Sequence, residues 1–194
     1  MTNQSIRQMC RHRRQALDAT TRQHAAKQVQ HHWQQYLTIQ PSDRIASYIP
    51  MAEEIDVRPL NQALSAHATV AYPVLHPYRP RHLWMLTPQA GWVKNAFGID
   101  EPYFETSEQL IAPWELDYVI VPLVAVNADG MRLGMGGGFY DTTFAFKANN
   151  PHIGPQLIGI AYDCQMVDTF DVALWDIGLD TLITPTGVQE LTQS

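Results

Sequence analysis

The sequence predicts an α/β protein, a single three-layer α/β/α domain built on a largely parallel sheet. Three observations lead there. Short apolar runs rich in β-branched residues, among them Tyr118–Val126, Pro155–Asp163 and Thr181–Pro185, read as strands buried on both faces. Helical patterns or polar crossovers stand between the strands, as parallel neighbours require. A chain of 194 residues that is 45% hydrophobic and 16% charged suits one compact core, and no repeat, linker or low-complexity segment divides it.

Ser5–Leu17 sets Ile6, Met9, Cys10 and Leu17 near helical spacing, with Arg7, Arg11 and Arg14 on another face. An amphipathic helix with a basic, solvated side is expected. Asp18 or Thr20 can cap a second helix over Thr21–Leu37, with Ala25, Val29, Trp33 and Tyr36 as its apolar stripe. Pro41-Ser42-Asp43 ends it. Arg44–Pro50 then reads as a buried strand, followed by a polar loop carrying Glu53, Glu54 and Asp56 and a helix over Arg58–His67. Thr69–His76 and Arg81–Pro88 are the next strands, punctuated by Pro77, Pro80 and Pro88. Periodicity fails from Gln89 to Trp114, so an ordered loop is expected there, with Trp92 and Phe97 as packing residues.

Tyr118–Val126 is the central strand, and Asn127-Ala128-Asp129-Gly130 supplies the chemistry of the turn that ends it. Then four glycines, Gly134, Gly136, Gly137 and Gly138, fall within five positions between Arg132 and Phe139-Tyr140-Asp141. Glycine is costly to order, so this density points to positive φ or a close approach to the backbone. Such a loop can aim amide N–H groups at an anion, and Arg132 adds a forked cation suited to phosphate. It lacks the lysine of a P-loop and the third glycine of the dinucleotide fingerprint, whose place is taken by Phe139. Thr142–Asn149 is expected to form a short helix ending near Asn149-Asn150-Pro151, its N-terminus adding positive charge beyond the loop. Strands over Pro155–Asp163 and Thr181–Pro185 close the chain.

Composition excludes several functions. A net charge of −6 and an isoelectric point near 5.7 disfavour nucleic-acid binding, so an anionic ligand needs a local basic site. Cys10 and Cys164 show no CxxC spacing and read as small buried hydrophobes of a reduced compartment. No apolar leader and no run of eighteen apolar residues occurs, so the chain reads as soluble and cytoplasmic, without a membrane. Neither HExxH nor GxSxG is present, and the histidines form no metal constellation.

RLGMGGGFYD resembles the signature of the 5-formyltetrahydrofolate cyclo-ligase family, also called methenyltetrahydrofolate synthetases. The likeness continues through YIPMAEEID, YPVLHP, FGIDEP, IGIAYDCQ and WDIGLDTLITP in the family's order. The resemblance implies the three-layer fold and ATP-dependent conversion of 5-formyltetrahydrofolate, with or without a polyglutamate tail, to 5,10-methenyltetrahydrofolate. It places ATP on Arg7, Arg132, Leu133, Gly134, Met135, Gly136, Gly137, Gly138, Phe139 and Tyr140. The folate falls to Ile49, Glu54, Met135, Gly136, Gly137, Gly138 and Phe139. Asp141 and Asp176 become ligands of Mg2+, while Arg132 and Tyr140 are the catalytic candidates. A monomer is the expected state.

Two departures stand out. The family's Lys-x-x-x-Arg pattern places its arginine on Arg7 but its lysine on Asn3, with Gln4 or Arg11 the available substitutes; some relatives carry a lysine at Gly137. Other readings stay open on the residues alone: a folate-binding protein without turnover, or a sugar-phosphate isomerase with no need of ATP.

Overall fold

The structure, a computed structural model, describes residues 1–106, 109–148, 150 and 153–191. Its first helix, α1, spans Asn3–Gln15 and starts where the Thr2 side chain accepts from Ser5 N–H. Helix α2, Ala19–Tyr36, is capped by Asp18, whose carboxylate accepts from Thr21 N–H at 2.8 Å. Strand β1 is Arg44–Ala46, helix α3 is Arg58–Ser65, and the hairpin β2, Thr69–Leu75, and β3, Leu83–Leu86, follows. Then come β4, Trp92–Lys94, β5, Asp100–Pro102, β6, Tyr118–Val121, β7, Ala125–Val126, and β8, Arg132–Leu133. Helix α4 is Phe139–Thr143, and β9, Gln156–Ile160, β10, Thr181–Thr184, and β11, Gly187–Glu190, complete the chain.

The main sheet has seven strands in the order β11-β10-β9-β6-β1-β2-β3. The five inner strands run parallel, with Ile45 of β1 opposite both Val70 and Tyr118, while the two edge strands are antiparallel. The expected fold class is the observed one. Helices α2 and α3 cover one face through Val29, Trp33, Leu60 and Leu64. The other face is covered around Phe144, Leu116, Ile177 and Leu179 by α4 and connecting segments. From β1 the chain turns to β2 on one side, and it later enters β6 on the other. Connections leaving in opposite directions open a crevice at the strands' C-terminal ends, the place where open α/β sheets take ligands.

Several expected elements differ. Tyr118–Val126 is not one strand: Pro122 lacks the N–H a ladder needs, and the chain breaks into β6 and the β7–β8 hairpin. The freed carbonyls of Leu123 and Val124 accept from Gln165 Nε2 at 2.9 and 3.1 Å. The strand expected over Arg44–Pro50 stops at Ala46: Ser47 N–H still donates to the Ala71 carbonyl of β2 at 2.9 Å, but the next carbonyl, that of Tyr48, accepts from Asn61 Nδ2 of α3. The loop over Gln89–Trp114 contains the β4–β5 ribbon, turned by Asn95 and by Gly98 at φ +73°. The helix expected from Thr142 begins earlier, at Phe139, and is only five residues long. Its macrodipole is therefore negligible; its expected end at Asn149 and Pro151 lies outside the described residues. Strand β11 was absent from the sequence expectation. Cys10 and Cys164 are both free thiols, and no helix among the described residues is long and apolar enough to cross a membrane.

Trp33 shows what secures α2 to the sheet. It is 1% exposed and meets the Tyr118 ring edge-on at 6.5 Å. Trp33→Ala is expected to cost about 3–5 kcal/mol, measured as a lower urea midpoint at unchanged slope.

Candidate functional site

The crevice between β1 and β6 gathers most of the candidate residues. Strand β8 carries Arg132, whose side chain is 4% exposed. Its Nη2 donates to Asp141 Oδ1 at 2.8 Å, and its guanidinium lies 5.7 Å from the centre of the Tyr140 ring. Asp141 Oδ1 also accepts from Ile177 N–H at 3.2 Å, so the first turn of α4 sits against the residue following Asp176. Arg132 Nε is buried without a hydrogen-bond partner. Such a group is costly unless something else satisfies it, and an incoming anionic oxygen would do so.

Arg7 reaches the same loop from α1. Its Nε donates to the Gly134 carbonyl at 2.7 Å, and a Cβ on Gly136 would lie 3.7 Å from its guanidinium carbon. Arg132 Nη1 lies 3.7 Å from where a Cβ on Gly134 would stand, so both guanidiniums meet the loop at this glycine. Gly136, at φ +99°, and Gly138, at φ +68°, take conformations that side-chain-bearing residues avoid; Gly138 turns the chain into α4. A Cβ on Gly137 would fall 2.8 Å from the Phe139 ring, so a lysine at this position would require the ring to move. Phe139 in turn meets Phe97 of the ribbon edge-on at 5.6 Å. Met135 is exposed on the loop, whereas Leu133 is core, packed with Ile6, Cys10 and Val124.

Across the crevice lies the segment after β1. Glu54 Oε2 accepts from Met51 N–H at 2.9 Å. Burial raises its carboxyl above the usual carboxylate range, Met51 N–H and Arg14 offset part of that, and Glu53 adds to it. Burial also pushes the phenols of Tyr48 and Tyr140 well up, with the Glu54 charge contributing to both and Arg132 opposing the rise at Tyr140. Both therefore remain neutral hydroxyls, and Tyr140 is a hydrogen-bonding group and not a base. Ile49 is half-buried beside Tyr48.

The basic side of α1 is only in part the solvated face expected of it: Arg11 is exposed, Arg7 half-buried and Arg14 buried. Arg14 is 1% exposed, with Nη2 3.5 Å from Glu53 Oε1 and Nη1 3.9 Å from Glu54 Oε1. Arg11 joins Glu53 at 3.3 Å. Asn3 donates to the Asp171 carbonyl at 2.8 Å and accepts from Asp171 N–H at 3.0 Å, so it is engaged away from the loop. Sequence reasoning missed Arg14 and Tyr48 as site residues and left Phe97 outside the site. Helical periodicity could place Arg14 on a face but not reveal what covers it.

Among the described residues no cluster of three or more His, Cys, Asp or Glu forms a metal cage. Asp176 Oδ2 accepts from Ala173 N–H at 2.9 Å, and the Asp141 bonds fall on Oδ1. Neither set of bonds uses the second oxygen of its carboxylate. Two such carboxylates suit magnesium, which keeps several waters and completes its shell with phosphate oxygens. A surface cavity of about 570 Å³ lies at the opposite end of β1 and β2 around Arg44 and Thr69; there Arg44 is paired with Glu115.

The model of the 5-formyltetrahydrofolate cyclo-ligase family matches residues 1–185. The 5-formyltetrahydrofolate cyclo-ligase of Escherichia coli is 37% identical over 185 residues, covering 94% of this chain and 100% of that one. Its counterpart in Haemophilus influenzae is 36% identical over 180 residues, 91% and 94% of the two chains. The NMR structure of a 5,10-methenyltetrahydrofolate synthetase from Aquifex aeolicus matches at TM-score 0.81 and 25% identity, covering 100% of this chain and 95% of that one. A 5,10-methenyltetrahydrofolate synthetase from Mycoplasma pneumoniae matches at TM-score 0.73 and 25% identity, over 95% and 99%. With nearly its whole length matched, the chain belongs to the 5-formyltetrahydrofolate cyclo-ligase family and is an enzyme of that ligase class.

Proposed function

We propose that the chain converts 5-formyltetrahydrofolate and ATP to 5,10-methenyltetrahydrofolate, ADP and phosphate. The observation that carries this reading is the meeting of Arg7 and Arg132 at Gly134, beside the Tyr140 phenol and facing Glu54 and the phenol of Tyr48. Two cations on a bare backbone fit a triphosphate. A buried carboxylate with hydroxyl neighbours fits the N–H-rich edge of a pterin.

An N5-formyl group is an amide, weakly electrophilic, and its oxygen leaves poorly. In the proposed route that oxygen takes the γ-phosphoryl group, breaking its bond to ADP. N10 then attacks the activated carbon. Phosphate departs with the former formyl oxygen and takes up the N10 proton, so atoms and electrons balance without a covalent enzyme intermediate. The chain's residues act by positioning and by stabilising charge. Arg7 and the loop amides orient the triphosphate, Arg132 stabilises charge on the transferring group, and Glu54 holds the pterin. Tyr140 lines the wall shared by both pockets, with its hydroxyl available as a donor. Asp141 and Asp176 are the residues that would hold magnesium, which when bound would neutralise phosphate charge.

Arg132→Ala is expected to lower turnover about 100- to 1,000-fold, read from the appearance of methenyl absorbance. Because that change also strands Asp141, Arg132→Lys serves as the control that keeps a charge without the fork; near-normal turnover in both removes Arg132 from the mechanism. Asp141→Asn is expected to shift the magnesium titration of activity to higher concentration, and an unmoved titration rejects its ligand role. For Glu54 the sign follows from ionisation: the carboxylate accepts from the pterin, so kcat/KM for the folate falls as pH drops through its raised pKa. Arg14→Leu removes a cation that holds this pKa down and is expected to move the acid limb to higher pH. Glu54→Gln should abolish the limb, and a limb that survives in Glu54→Gln belongs to another group.

A further inference from the structure

Helix α1 carries Arg7, Arg11 and Arg14 at i, i+4 and i+7, a spacing that sets all three along one face. Arg7 and Arg14 are two turns apart, about 10.5 Å of helical rise. One end of this row holds the Gly134 carbonyl of the glycine loop; the other faces the carboxylates of turn 51–54. That turn is closed on itself. The Met51 carbonyl accepts from Glu54 N–H at 3.0 Å, Glu54 Oε2 accepts from Met51 N–H at 2.9 Å, and the Glu54 carbonyl accepts from the Tyr162 hydroxyl at 3.3 Å. Arg22 of α2 then joins turn to helix, donating to the carbonyls of Ala52 at 2.8 Å, Arg14 at 2.6 Å and Leu17 at 2.9 Å.

Within this well-bonded frame the charges between helix and turn are under-bonded. Arg14 Nη2 stands 3.5 Å from Glu53 Oε1, and Nη1 stands 3.9 Å from Glu54 Oε1, whereas a guanidinium bonded to a carboxylate takes about 2.8 Å. Arg14 Nε, Arg14 Nη2 and Glu53 Oε1 are all buried without a hydrogen-bond partner, and leaving such groups unpaired is costly. A displacement of roughly 1 Å would turn these ion pairs into charge-assisted hydrogen bonds. Arg22 anchors the C-terminal end of α1, so the end that a ligand can draw inward is the one carrying Arg7. Because Arg14 shares its face, motion of Arg7 toward a bound phosphate carries Arg14 toward the two carboxylates.

We propose that Arg14 is a positioning residue through which ATP and the folate each tighten the binding of the other. Phosphate on Arg7 draws α1 in, Arg14 closes on Glu53 and Glu54, and the Glu54 carboxylate is set in place for the pterin. This rests on the ATP and folate reading above and adds a linkage between its two sites. The two end states are the long-contact arrangement of the structure and a closed, hydrogen-bonded one. A ligand shifts their balance only by preferring one of them, and both ligands prefer the closed state. Linkage is reciprocal, so the folate tightens ATP by the factor with which ATP tightens the folate.

The test is made by binding and needs no turnover. The Kd of 5-formyltetrahydrofolate is measured with and without the β,γ-imido analogue of ATP and magnesium, in the wild type and in Arg14→Met/Glu53→Met. The paired change removes both buried charges together, which proteins tolerate better than the loss of one. In the wild type the analogue is expected to lower the Kd about tenfold, within the range usual for coupled sites. In the double variant that ratio is expected to fall to near one, while the Kd of the analogue alone stays unchanged, which also reports a folded protein. Should the double variant fail to bind the analogue, Arg14→Lys replaces it, a point charge without the fork, and a reduced ratio is again expected. A wild type that binds both ligands without linkage overturns the proposal and leaves the cyclo-ligase reading standing. A full ratio that persists in the variant assigns the coupling to contact between the two ligands and overturns it as well. Failure of the cyclo-ligase reading shows separately, as a wild type that forms no methenyl product.

Discussion

The arrangement of the crevice depends on one buried charge. Arg14 lies under it, 1% exposed, with carboxylates of Glu53 and Glu54 at 3.5 and 3.9 Å. A buried guanidinium is tolerable only while its partners stay in place, and removing one partner typically costs about 3–5 kcal/mol. That constraint ties α1 to the segment after β1. It fixes Arg7, two turns earlier on the same helix, at the glycine loop, and it fixes Glu54 on the opposite wall. The carbonyl of Leu123, freed where Pro122 ends β6, accepts from Gln165 Nε2 at 2.9 Å and lies 3.5 Å from Arg14 Nη1. The break in the central run is thus used twice: it ends a strand and supplies a polar surface for the helix that carries the cations.

The charges of the site are local solutions within an acidic chain. Arg132 is compensated by Asp141 at 2.8 Å and Arg14 by two glutamates, so neither adds much net charge to the interior. Arg7 differs, since its partner is the neutral Gly134 carbonyl. An arriving phosphate would therefore find one cation without a carboxylate partner and another that shares its charge. Glu54 has the opposite balance, as a carboxylate whose burial outweighs the help it receives. Opposite deviations on the two walls of one crevice fit the separate anion and pterin sites of the proposed reaction.

Much of this was legible in the sequence. The Asp18 cap, the Trp33 stripe and the glycine run all act through neighbours close along the chain, and local chemistry suffices to read them. The departures share a different origin. Pro122 did carry a visible signal against a continuous strand, but the uniformly apolar run outweighed it. The β4–β5 ribbon is built from three-residue strands, and β4 is exposed throughout, so no alternation marks it. Burial of Arg14 depends on Glu53, far along the chain, and periodicity assigns a face without naming its cover. Phe97 is similar, since its place beside Phe139 depends on how a ribbon folds back.

Asn3 shows how one position can be drawn in two directions. It both gives a hydrogen bond to Asp171 and receives one from it, joining the start of α1 to the segment that leads to Asp176. Lysine, which the family resemblance would place here, has donors and no acceptor. It could supply a cation but could not receive the Asp171 amide. A single side chain at this site cannot serve as both latch and charge, and asparagine here gives the latch, a two-way seam between the first turn of α1 and the segment around Asp171.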